Sequence, residues 1–135
     1  MKLKFHHMNL CSAQVPQMDQ FYRSLLDLTP VPGMEAGRVG LDAYGGHTTY
    51  VTDGAVEFHM SEKDHLVGFR AGHHVNPLDR GHIAFRTDDL GAFKRRLEDM
   101  KIPFSHYGPW SMSGWDQIFF YDPAGNVIEV HQVKN

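Results

Sequence analysis

The sequence predicts an α+β fold assembled from two similar strand–helix–strands units. Three observations carry this. Strand-like runs and two amphipathic helices recur in the same order along the chain. Glu57 follows Phe21 by 36 residues, and Glu129 follows Phe93 by the same 36. Each half also ends on a matching pattern, Glu57-Phe58-His59 and Glu129-Val130-His131. A repeat of about 70 residues implies two copies of one supersecondary unit. The division falls at residues 1–66 and 67–135, packed as one compact body, with helices outside a sheet.

The first strand is expected over Phe5 to Cys11. An amphipathic helix follows from Val15 to Leu26, with Met18, Phe21, Tyr22 and Leu25 at helical spacing and Pro16 in its first turn. Thr52-Asp53-Gly54 marks a turn before a strand over Ala55 to Met60. The stretch Ser61 to Arg80 is the least regular and joins the halves. The second half begins with a strand over His82 to Thr87. Asp88 or Asp89 can cap the next helix, which carries Leu90, Phe93, Leu97 and Met100 on one face. Asp122-Pro123-Ala124-Gly125-Asn126 is a strong turn between Phe119-Phe120-Tyr121 and a last strand ending near Gln132. The two histidine-to-helix spacings differ: His7 lies 14 residues before Phe21, and His82 lies 11 before Phe93. A loop absorbs such a difference.

Composition narrows the partners. A formal charge of -3 and no basic run longer than Lys94-Arg95-Arg96 argue against nucleic acid. No apolar run approaches the roughly 20 residues that span a bilayer, so no membrane partner is expected. The start of the chain reads straight into a strand and lacks the apolar centre of a secretory signal. The single Cys11 allows no intrachain disulfide and fits a reducing cytoplasm.

Ten histidines are a rich supply of neutral nitrogen ligands. Alternate residues of a strand face opposite sides. His7 then opposes Met8 and Leu10; His82 opposes Ile83 and Phe85; Glu57 and His59 oppose Phe58 and Met60; Glu129 and His131 oppose Ile128 and Val130. The apolar sets can pack under the helices, which leaves histidines and carboxylates on the other face. His7, Glu57, His82 and Glu129 there make a metal-ligand set, with His59 as the alternative to Glu57. By the same alternation His6 belongs to the apolar side with Met8. His131, two residues beyond Glu129, is expected near the rim as a proton-transfer group. The Gly/Ser-rich tract around Trp110 and Trp115 suits the lip of a pocket, since indole offers apolar area and a donor. Arg23, Arg38 and Arg70 are possible carboxylate binders. His73-His74 fit a polar loop, and His47, His65 and His106 carry no usable pattern.

His7-Met8-Asn9-Leu10 with Phe21-Tyr22-Arg23, Gly81-His82-Ile83-Ala84-Phe85 with Asp88-Asp89-Leu90, and Asp122 to Glu129 together resemble the vicinal oxygen chelate superfamily of glyoxalases, bleomycin-resistance proteins and extradiol dioxygenases. The resemblance implies paired βαβββ modules forming an open cup. It implies one divalent metal (Zn, Fe, Mn, Ni or Co) held by His7, Glu57, His82 and Glu129. A homodimer is expected, since members complete or cover their cups by pairing. It further implies a glyoxalase-like lyase or isomerase acting on a small substrate with vicinal oxygens, with Glu129, Glu57 or His131 moving the proton. An Fe(II) extradiol dioxygenase is one alternative, weakened because Phe119 stands where such enzymes present a tyrosine. A metal-free ligand-binding protein of the bleomycin-resistance kind is the other.

Overall fold

A computed structural model describes residues 1–34 and 44–134. Its strands are β1 (Leu3–Ser12), β2 (Thr29–Pro30), β3 (Thr48–Thr52), β4 (Glu57–Glu62), β5 (His82–Thr87), β6 (Ser105–Gly108), β7 (Trp115–Tyr121) and β8 (Val127–Val133). The helices are α1 (Val15–Leu26), α2 (Val67–Ala71) and α3 (Leu90–Asp99). The α+β reading holds, and α1 matches its expected span. The short α2 lies within the stretch read as irregular.

All strands join one open sheet in the order β2-β3-β4-β1-β5-β8-β7-β6. The order is a mirror about its middle. β4 runs parallel to β1, and β8 runs parallel to β5. The halves meet where β1 pairs antiparallel with β5. The candidate residues of the two halves thereby stand on neighbouring central strands.

One face of the sheet carries the helices. Beneath α1, Val15, Leu28, Val51 and Met60 are buried together, with Met18, Tyr22 and Phe58 against them. Beneath α3, Leu90, Phe93 and Leu97 pack on Ile118, Phe120 and Val130. Asp89 caps α3 by accepting from the Ala92 amide at 2.9 Å. Phe21 and Leu25, read as part of the buried stripe of α1, are instead 55% and 63% exposed. The helix rests on the sheet through Val15, Met18 and Tyr22, and its Phe21–Leu25 edge turns outward.

The other face curls into a cup. Its two sides meet across the top, where Tyr50, Val31 and Met34 of the first half pack with Met112 and Trp115 of the second. A further cluster of Tyr44, Val75, Leu78, Trp110 and Phe119 closes one end.

One register fault shapes this face. Phe5 pairs with Phe85 but His7 pairs with Ala84, so β1 carries one extra residue between them. That β-bulge places two successive side chains on one side of the strand. His6 therefore turns into the cup, against the strict alternation that assigned it to the helix side. Its ring meets those of His7, His59, Trp115 and His131 at 5.1–6.3 Å. No helix among the described residues is long and apolar enough to cross a membrane.

Candidate metal centre

His7 on β1, His82 on β5 and Glu129 on β8 each bring one ligand atom to a common point, all within 4.8 Å of one another. The strands that meet at the middle of the sheet supply all three. Exposures of 1%, 9% and 1% put the group deep in the cup.

Neighbours fix each ligand's orientation. The His82 Nδ1–H donates to the Pro77 carbonyl at 2.8 Å. Its Nε2 then presents a lone pair, 3.8 Å from Glu129 Oε1. His7 is engaged at Nδ1 by His6 Nδ1 at 2.8 Å and turns Nε2 to Glu129 Oε2 at 3.5 Å. Glu129 is held from outside by Gln117 Nε2, which donates to Oε1 at 2.7 Å, and by His131 Nδ1, which donates to Oε2 at 2.8 Å. Arg86 Nε donates in turn to His131 Nε2 at 3.0 Å. Carboxylate and carbonyl partners of this kind orient metal-binding imidazoles and raise their basicity.

The electrostatics agree. Burial, and then the crowding of His59, His82, His6 and His131, hold the His7 imidazole well below its ordinary range. Burial likewise lowers His82 despite the nearby Glu129 charge. Burial alone would raise Glu129, but the hydrogen bond and charge of His131, the charge of His82 and the Gln117 amide outweigh it and bring the carboxyl to about 2. At neutral pH the three ligand candidates are thus two neutral imidazoles and an ionised carboxylate, the forms that bind metal. The His82 lone pair and a Glu129 oxygen face each other as two acceptors, an arrangement a cation resolves. The residues fit a divalent ion.

Glu57 is not part of this convergent group. Its carboxylate accepts from His59 Nε2 at 2.8 Å and lies 3.5 Å from His6 Nε2. The register explains this. Glu57 pairs with His7 itself, whereas His59 pairs with Asn9, as Glu129 pairs with Ala84. His59, two residues along, is therefore the counterpart of Glu129. Its ring lies flat on that of His7, centres 3.8 Å apart and 16° from parallel. Imidazoles radiating from one ion at about 2.1 Å hold their centres roughly 4.5 Å apart or more. The His7–His82 separation of 5.7 Å meets this condition, and the His7–His59 stack does not.

His131 is not at the rim. It is fully buried, both ring nitrogens are engaged, and it stacks on Trp115 at 4.1 Å. Trp110 and Trp115 line one pocket together with His7, His59, His82 and Glu129. Arg23 pairs with Asp19 and Arg70 with Asp64, both away from this lining; Arg38 lies outside the described residues. His74 meets Ser105, and His106 meets Asp116.

Sequence reasoning missed three participants. Arg86 continues the His82–Ala84 alternation by one step, and Gln117 shares the alternation of Trp115 and Phe119, so parity could have found both. No sequence signal announced the bulge that delivers His6.

A family model described as the Glyoxalase/Bleomycin resistance protein/Dioxygenase superfamily matches residues 4–130, and the chain belongs to that superfamily. A curated relative, "Glyoxylase I 4" of Arabidopsis thaliana, is 35% identical over 60 residues, 42% of this chain. That match spans only 32% of the relative's own length. Among solved structures, a hypothetical protein from Bacillus halodurans C-125 superposes with a TM-score of 0.73 at 15% identity, covering 100% of this chain and 97% of the other. Methylmalonyl-CoA epimerase from Mycobacterium tuberculosis gives 0.71 at 16% identity, covering 98% and 89%. At these identities the likeness concerns the fold.

Proposed function

We propose that this protein is a divalent-metal-dependent lyase or isomerase that moves a proton on a small substrate with two neighbouring oxygens. The observation that carries this is the convergence of His7, His82 and Glu129 within 4.8 Å; burial that favours the neutral imidazoles and partners that favour the ionised carboxylate agree with it. Family membership, with an epimerase among the structural neighbours, supports the reaction class coarsely. Zn, Fe, Mn, Ni and Co all suit two imidazoles and a carboxylate.

When bound, the ion supplies Lewis acidity that stabilises negative charge on a substrate oxygen. Three protein ligands leave positions for two substrate oxygens. Glu129 serves as a ligand, because Gln117 and His131 pin both its oxygens. His131 acts by orienting Glu129. The proton goes to the His59–Glu57 pair: His59 lines the pocket, and Glu57 orients it through Nε2.

The test is metal analysis of the purified protein with His82→Ala and Glu129→Ala, followed by deuterium exchange at the carbon beside the carbonyl in a panel of hydroxycarbonyls. The expected result is one metal per chain, lost in both variants, and exchange that requires the metal. Full occupancy in both variants overturns the site, and a wild type without metal favours the ligand-binding alternative. Two histidines and one carboxylate are also the triad of non-haem iron oxygenases. Ring-opening of a catechol by Fe²⁺-loaded protein under air would establish that second reading, against which the buried Phe119 weighs.

A further inference from the structure

The lining of the pocket specifies more than the reaction class. The walls are aromatic and aliphatic: Tyr44, Leu78, Trp110 and Phe119 on one side, Met112 and Trp115 on the other. The polar positions between them, such as Asn9, Ser61 and Gln117, are neutral. Among the described residues the lining contains no lysine or arginine, and Glu129 is its one acidic side chain. The cationic side chain near the cup, Arg86, is outside the lining, with its Nε committed to His131 and its guanidinium 5.1 Å from the centre of the Trp115 ring. An acidic substrate group seated away from the metal ligands would lose its water and, among the described residues of the lining, meet no cationic side chain, which is costly.

A second observation is independent of that composition. Trp110 is 8% exposed, and its indole Nε1–H is buried without an acceptor. A buried donor left unsatisfied is destabilising, and an acceptor brought by a ligand removes that cost.

We infer that the pocket selects a hydroxyketone or dicarbonyl with an uncharged, flat or branched apolar body, whose further oxygen accepts from Trp110 Nε1, and discriminates against substrates bearing a carboxylate on that body. This rests on the proposed metal-dependent function and names its substrate class.

Kojic acid and comenic acid make a matched pair for the test. Both present the same hydroxypyranone oxygens to a metal; one carries a hydroxymethyl group where the other carries a carboxylate. Titration calorimetry on zinc-loaded protein should give a dissociation constant at least about tenfold lower for kojic acid. Trp110→Phe keeps an aromatic ring but removes the N–H with the pyrrole half of the indole, and should weaken kojic acid roughly three- to tenfold at unchanged zinc content. Equal or tighter binding of comenic acid overturns the charge selection. An unchanged kojic acid affinity in Trp110→Phe overturns the donor assignment. The same titrations on metal-free protein separate the two readings. Absence of zinc binding sinks the metal site alone, while the preference between the two acids still decides the selection.

Discussion

Gly81→Ala isolates the contact that brings the two halves together. Gly81 sits immediately before His82, at a φ of +85°. A Cβ there would stand 2.2 Å from the Asn9 carbonyl oxygen and 3.2 Å from its carbon. Both atoms are β1 backbone, so no flexible side-chain end can yield. The left-handed backbone costs an alanine about 1–2 kcal/mol. Opening β1 from β5 to admit the methyl group sacrifices one or two ladder hydrogen bonds at about 1 kcal/mol each, besides disturbed packing. The total is about 3–5 kcal/mol, a large share of the roughly 5–15 kcal/mol that holds a domain folded. Gly125→Ala is the internal control. Its φ is also +85°, but the nearest group to its Cβ is Arg80 Nη1 at 3.9 Å. It should show the backbone cost alone. Urea unfolding of the two metal-free variants, read by tryptophan fluorescence, should differ by about 2–3 kcal/mol. Equal losses within about 0.5 kcal/mol would refute the steric reasoning, because conformation would then account for everything.

Acid should destabilise the metal-free protein early. His6, at about 4, and the lower-shifted His7 and His82 take up protons in the unfolded chain from about pH 6.5 downward, before they do so in the folded one. Stability is therefore complete above that pH and falls below it, by up to about 1.4 kcal/mol per pH unit for each of the buried His7 and His82. The depressed Glu129 withdraws its own share between about pH 4.5 and 2. A flat unfolding midpoint from pH 7.5 to 5.5 contradicts this. His131→Asn should weaken zinc affinity about 10–100-fold, since it removes a donor that orients Glu129. Unchanged affinity with lowered turnover, measured by zinc competition and deuterium exchange, would restore His131 as the proton-transfer group. The protein should dimerise across the strip where Met8 faces Ile83 beside exposed Leu3 and Phe5, and Ile83→Lys should dissociate it. A wild type that scatters light as a monomer at micromolar concentration refutes that interface.

Much of this site was legible because strand parity and the internal repeat are local properties of the chain. Alternation alone puts His82 and Glu129 on the cup face, together with other histidines and Glu57, and their strands lie where the repeat places them. What resisted reading depends on register between distant strands. Whether Glu57 or His59 matches Glu129 turns on which of them pairs with Asn9, a relation between β1 and β4 that no spacing within either strand encodes. The expectation of His131 at the rim failed for a similar reason. Trp115, from a neighbouring strand, covers it, and Arg86 reaches it from β5. The exposed edge of α1 was misread because its apolar stripe is wider than the surface available beneath it.

The extra residue in β1 has a consequence for how such a site can change. With His6 deleted, Phe5 would still face outward with Phe85, His7 would still face inward with Ala84, and the alternation would run unbroken through the junction. Every other pairing of β1 keeps its partner. The strand therefore has a slot where one insertion or deletion event adds or withdraws an imidazole beside His7 without re-registering the sheet. Variation by length, at this single point, can retune the surroundings of the metal ligands more cheaply than substitution within the closed ladder.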